Sequence, residues 1–318
     1  MPDLADLLRG AVAGERLALA RLLTAIESDA PGLQGILPKV FQAGRGAHLV
    51  GITGPPGSGK STLVNALVGE WRRRDRRVGV LAVDPSSPYT GGAIMGDRIR
   101  MMEHAADRDV FVRSMASRGE LGGLAATTWI AAAAIDAGGY DPILVETVGA
   151  GQSEVEIASL AETTVVVEVP EMGDEVQAIK AGLLEIGDLI VVNKRDLPGA
   201  DRAARRLGAM LSTAGGRIVR PPPKVMLTNA VRAEGVDEVA DAVDALRGAA
   251  RSPERVNERA ERQVRNVLAT LAARRAQASP HWAELVAEVA ARRLDPFTAA
   301  NRLLEAGKPP PIPRYQPG

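Results

Sequence analysis

Seven short apolar runs, at 49–52, 78–83, 110–112, 143–145, 164–169, 189–192 and 225–227, alternate with longer stretches whose apolar residues recur at helical spacing. Runs that are apolar on both faces belong to strands covered on both sides, and strands joined through helices pair in parallel. The expected fold is therefore α/β, a three-layer domain with a mostly parallel sheet between helices, spanning 46–248. Ahead of it, residues 1–45 carry Leu4, Leu7, Leu8 and Val12, then Leu19, Leu22, Leu23 and Ile26, which reads as an N-terminal extension of two amphipathic helices. Behind it, residues 249–307 carry one stripe at Val264, Val267, Leu268 and Leu271. A second, at Trp282, Leu285, Val286 and Val289, follows the break at Ser279-Pro280, giving a C-terminal helical extension. Residues 308–318 form a proline-rich tail expected to be extended.

Composition removes several classes of function. Basic and acidic residues both number 39 in the 318, so no electrostatic ground exists for a nucleic-acid or anionic-membrane partner. The chain has no cysteine, which excludes disulfides, thiolate nucleophiles and cysteine-based metal transfer. Its histidines, His48, His104 and His281, are widely spaced and offer no metal-transfer site. No apolar run approaches the roughly 18 residues of a membrane span, and the N-terminus lacks a signal-peptide layout, so a cytoplasmic location is expected.

Directly after the first run stands Gly54-Pro55-Pro56-Gly57-Ser58-Gly59-Lys60-Ser61-Thr62, the G-x-x-x-x-G-K-[ST] pattern between a strand and a helix. Glycine backbone can wrap closely around phosphate oxygens, and the amides of the loop and of the helix start make a positive nest. This is the phosphate loop of a P-loop NTPase, with Lys60 reaching the β- and γ-phosphates and Ser61 placed to ligate Mg²⁺.

The base is read elsewhere. After the run 189–192 stands Asn193-Lys194-Arg195-Asp196, an N-K-x-D sequence. An aspartate carboxylate can accept from both the ring N–H and the exocyclic amine of guanine, a donor pair absent from adenine. In this reading the stem of Lys194 covers the base face and Asn193 braces the phosphate loop. One strand later, Thr228-Asn229-Ala230 falls where a backbone amide would meet the guanine carbonyl, with Asn229 in place of the more usual serine. Together these select GTP and GDP over adenine nucleotides.

Two further segments suit nucleotide-sensing loops. The run 143–145 ends in Glu146-Thr147-Val148-Gly149, a variant of D-x-x-G with glutamate as the acid and the Gly149 amide as γ-phosphate sensor. The second run ends at Asp84-Pro85-Ser86-Ser87, and Asp97 follows after Thr90-Gly91-Gly92; two acids bracketing a flexible loop are candidate magnesium ligands or water-positioning groups. Ala150 stands directly after Gly149 where a water-holding glutamine would serve, so slow intrinsic turnover with partner stimulation is expected. Arg118, in Ser117-Arg118-Gly119, could act on phosphates, on a partner, or in a structural ion pair.

These motifs, with Leu121-Gly122-Gly123 and Gly151-Gln152-Ser153-Glu154, resemble the MeaB/ArgK-type GTPases, relatives of the methylmalonic aciduria type A protein, over about 4–294. The resemblance implies a homodimeric GTPase chaperone of an adenosylcobalamin-dependent acyl-CoA mutase, usually methylmalonyl-CoA mutase. Such a chaperone gates cofactor loading and protects or reactivates the mutase. It further implies that Ser61, Asp97 and Glu146 organise Mg²⁺, that Asp84 helps position the attacking water, and that 169–180 is an additional switch. Glu171 stands there where a small residue is more usual. The rivals are a P-loop kinase or transport ATPase, a nickel-insertion GTPase, and an assembly module with a structural nucleotide.

Overall fold

The computed structural model describes residues 3–85, 104, 106–117, 123–147, 157, 159–170, 186–214 and 222–305, with the side chains at 84–85, 116–117, 123–126 and 213–214 excepted. Asp97, Arg118, Gly149, most of the 169–180 segment and the 308–318 tail lie outside the described residues, as does the side chain of Asp84.

All seven expected strands are present: β1 (Leu49–Thr53), β2 (Val78–Pro85), β3 (Val110–Ser117), β4 (Ile143–Thr147), β5 (Thr163–Glu168), β6 (Leu189–Val192) and β7 (Lys224–Leu227). They form one sheet in the order β3-β2-β4-β1-β5-β6-β7, and every pairing within it is parallel. The third strand runs five residues beyond the apolar run 110–112, because pairing with β2 continues through Arg113 and Ser114 to Ser117.

Alternate residues of each strand feed opposite cores. On one face Leu49, Leu81, Val83, Ile143 and Val145 pack with α1 (Leu4–Val12), α2 (Arg16–Glu27), α3 (Leu33–Gln42) and α5 (Gly123–Ala137). The other face presents Val50, Ile52, Val80, Leu144, Val165 and Val191 to α4 (Lys60–Arg73) and α7 (Val236–Ala250). Helix α6 (Ala200–Ala214) covers Val166, Ile190 and Val192 through Leu207 and Leu211.

The N-terminal extension contains three helices where the periodicity indicates two. Gly35 and Pro38 interrupt the apolar pattern of α3, yet Leu33, Ile36 and Val40 are buried and hold it in place. Leu19, Leu22 and Leu23 of α2 are fully buried in the core shared with the sheet. At roughly 1.5–3 kcal/mol for each such side chain, the extension is part of the domain's packing and not a loose arm.

At the C-terminal end, α8 (Pro253–Gln277), α9 (Trp282–Ala290) and α10 (Pro296–Glu305) share a small core of Leu285, Ala299 and Leu303. Ser252 caps α8 by accepting from Arg255 N–H, with Pro253 at the first turn. Among the described residues no helix is long and apolar enough to cross a membrane.

Candidate nucleotide site

The chain leaves β1 at the centre of the sheet, between β4 on one side and β5 on the other. Strands β2, β3 and β4 lie to one side of it and β5, β6 and β7 to the other, so a crevice opens beyond the carboxyl ends of the strands at β1. The glycine-rich loop, the Glu146 end of β4 and the Asn193 end of β6 all face this crevice from adjoining or near-adjoining strands.

The loop backbone requires glycine. Gly54 has φ 141° and Gly59 has φ 90°. A Cβ on Gly54 would lie 2.1 Å from the Val167 carbonyl oxygen of β5, and one on Gly59 would lie 2.3 Å from Asn193 Nδ2. The first contact is with rigid strand backbone and the second with the base-reading motif, so neither neighbour can give way cheaply. Lys60, at the start of α4, donates from Nζ to the carbonyls of Gly54 (2.8 Å) and Pro55 (3.0 Å), folding its ammonium back over the loop.

Ser61 Oγ donates to Glu146 Oε1 at 2.6 Å, and both residues are buried. The register explains the meeting: Ile52 pairs with Glu146 across β1 and β4, so the acid emerges beside the start of α4. Two hard oxygen donors at this separation suit a small divalent cation such as Mg²⁺.

Asn193 is the hub of the site. Its Nδ2 donates to the Ser58 carbonyl at 3.0 Å, while its Oδ1 accepts from Ala230 N–H at 3.0 Å and from Thr228 Oγ1 at 3.2 Å. One buried amide therefore joins the phosphate loop to the Asn193–Asp196 and Thr228–Ala230 turns. Lys194 takes the left-handed backbone conformation, φ 57°, a strained state for a non-glycine residue that puts its side chain on the exposed rim. Asp196 is oriented by Asn229, whose Nδ2 donates to Asp196 Oδ1 at 2.9 Å, while Asn229 Oδ1 accepts from Arg232 N–H at 3.2 Å. The Asn229 amide thus ties Asp196 to the Thr228–Ala230 turn.

Three buried hydroxyls also gather here: Ser58 within the phosphate loop, Thr147 within the Glu146–Gly149 motif, and Thr53, which the motifs did not single out. Thr53, Ser58 and Thr147 bury their oxygens without a hydrogen-bond partner among the described residues. Each such group costs about 1–3 kcal/mol if nothing engages it, which favours a ligand rich in oxygen. The available signal was positional: Thr53 and Thr147 are the last residues of β1 and β4.

Asp84 stands at the carboxyl end of β2, its backbone paired with Ala116. Asp97 and Gly149, the remaining expected site residues, fall outside the described segments.

A glycine-rich loop at the switch point, with an N-K-x-D turn bonded to it, defines a P-loop GTPase. The sequence pattern of the family described as "Methylmalonyl Co-A mutase-associated GTPase MeaB" matches residues 19–281, and the chain belongs to that family. The chain is 42% identical over 301 residues to a GTPase-named protein of Pyrococcus abyssi, covering 92% of this chain and 93% of that one. It is 37% identical over 250 residues to the GTPase ArgK of Escherichia coli, covering 76% and 75%. Among solved structures, that of a "LAO/AO transport system kinase" superposes with TM-score 0.69 at 27% identity, covering 95% of this chain and 97% of the other.

Proposed function

We propose that this GTPase is a chaperone of an adenosylcobalamin-dependent acyl-CoA mutase, with methylmalonyl-CoA mutase as the first partner to test. It acts in the cytoplasm, gating cofactor loading and protecting or reactivating the mutase. The family's description as mutase-associated supports the partner. The observation that carries the nucleotide part is the Asn193 hub, which makes occupancy of the base turn and the shape of the phosphate loop interdependent.

In this reading Gly54 to Thr62 cradle the phosphates, with Lys60 turning from the loop carbonyls to the β- and γ-oxygens. Asn193, Lys194, Asp196 and the Thr228–Ala230 turn read guanine. Ser61 and Glu146, joined by Asp97, would hold Mg²⁺, which supplies charge neutralisation at the phosphates. Gly149 senses the γ-phosphate and Asp84 helps place the attacking water. The residues 169–180 act as a further switch, and intrinsic turnover is slow until the mutase reshapes these loops. Val264, Leu268 and Leu271 form one apolar stripe on α8 and are 68%, 64% and 51% exposed, which supports a homodimer joined through the C-terminal extension.

The test is a binding and turnover assay with purified candidate mutases, in GDP and in a non-hydrolysable GTP analogue. Nucleotide-dependent complex formation with at least tenfold faster phosphate release is expected. Hydrolysis at many turnovers per second without a partner, unchanged by any mutase, would contradict the chaperone reading.

A further inference from the structure

The amino ends of β1 and β4 open into a cleft of about 160 Å³. It lies at the end of the sheet opposite the phosphate loop; the five residues of β1 place the two roughly 16 Å apart. Three helices and the approach to β5 complete it. Phe41 comes from α3, Trp129 from α5, and Arg259 from α8, while Glu162 stands just before β5.

One wall is aromatic: the rings of Phe41 and Trp129 are 4.0 Å apart between centroids and inclined at 31°. The other wall is charged, and its two charges form only a long ion pair. Arg259 Nη2 is 3.9 Å from Glu162 Oε1, beyond hydrogen-bonding distance. Arg259 uses Nη1 on the Ala250 carbonyl, at 2.6 Å. Glu162 has a second loose contact, 3.6 Å from Oε2 to Arg251 Nε. Burial pushes the Glu162 carboxyl above its ordinary pKa against the pull of Arg251 and Arg259, and burial lowers that of Arg259 against the pull of Glu162. The nearby Asp136 does not compete, since its carboxylate already accepts from the N–H groups of Arg45, Gly46 and Ala47.

A ligand carrying one charge would pair with one member of this wall and be repelled by the other. A ligand carrying both, separated by one carbon, meets each with its opposite. The cleft as a whole, with Leu160 as part of its floor, has about the volume that holds one benzene-sized group.

We propose that this cleft binds a small zwitterion with an apolar side chain, a free α-amino acid of leucine or phenylalanine size. Its ammonium sits on Glu162, its carboxylate on Arg259 and its side chain against Phe41 and Trp129. Such a ligand bridges α3, α5 and α8, and so ties both helical extensions to the sheet.

The test is calorimetric titration of the full chain, with GDP bound, by L-leucine and L-phenylalanine, followed in parallel by tryptophan fluorescence and melting temperature. The controls are 4-methylpentanoate, which keeps only the carboxylate, and 3-methylbutylamine, which keeps only the amine. Saturable low-millimolar binding of the amino acids is expected, at least tenfold tighter than either control. Glu162→Gln is expected to weaken it at least tenfold, and Ala133→Leu, which fills the cleft from its half-buried side, is expected to abolish it while leaving GDP affinity unchanged. No saturable amino-acid binding, equal binding of a singly charged control, or undiminished binding in both folded variants would overturn the proposal.

Discussion

Replacing Asn193 by alanine removes three hydrogen bonds at once: to the Ser58 carbonyl, from Ala230 N–H and from Thr228 Oγ1. A typical intramolecular hydrogen bond contributes about 1 kcal/mol net, and a buried group left unpaired costs about 1–3 kcal/mol. Ser58, Thr228 and Ala230 are all buried, so relaxation of the loop recovers only part of the loss. A destabilisation of about 3–5 kcal/mol follows, a fall in Tm of roughly 6–20 °C at about 2–4 °C per kcal/mol for a domain of this size. The nucleotide suffers separately, because the phosphate loop and the base turn no longer constrain each other. GDP affinity is expected to fall at least a hundredfold, about 2.7 kcal/mol. Differential scanning calorimetry without nucleotide gives the first quantity and isothermal titration with GDP gives the second. A Tm within 2 °C of the parent together with a Kd within threefold would refute the hub.

Gly59→Ala puts a methyl group 2.3 Å from Asn193 Nδ2 on a backbone at φ 90°, so titration with a fluorescent GDP analogue is expected to show at least a hundredfold loss; a change under threefold would count against the loop geometry. His48 is buried at the head of β1, and its pKa is lowered to about 4, first by burial and then by Arg247, against Asp141 and Asp244. An unfolded histidine titrates near 6.5, so between there and about pH 4 only the unfolded chain binds the proton, and stability falls as pH falls through that window. The loss reaches on the order of 3 kcal/mol at the acid end, and His48→Gln is expected to remove that part of the slope in urea melts at stepped pH. Leu268→Glu places a charge in the exposed stripe of α8 and is expected to convert the proposed dimer to monomer in sedimentation velocity without lowering the GDP on-rate; an unchanged sedimentation coefficient would contradict a dimer joined through α8.

The sheet was legible because its central strands are buried on both faces, which turns each into an unbroken apolar run such as Leu189–Val192. The site was legible because phosphate and guanine chemistry demand particular residues at fixed spacings, and the Asn193–Ser58 bond follows from that demand. What escaped was set by tertiary context. Helix α3 is held by burial of Leu33, Ile36 and Val40 despite Pro38, and the end of β3 is held by ladder bonds to β2, not by apolar side chains. Thr53 carries no motif of its own and Thr147 fills a variable position of one, so both gain meaning only from strand ends that meet in space. The cleft joins Phe41, Trp129, Glu162 and Arg259, residues so far apart in the chain that no local pattern could announce them.

Base selection at Asp196 is the point on which the account of the site turns, since a phosphate loop alone serves adenine nucleotides equally well. Calorimetric titration of the wild type and of Asp196→Asn with GDP and with ADP addresses it directly. The wild type is expected to favour GDP by at least a hundredfold, and Asp196→Asn to lose most of that preference because an amide cannot accept from both guanine donors. Comparable affinity of the wild type for GDP and ADP, or an undiminished preference in Asp196→Asn, would contradict it.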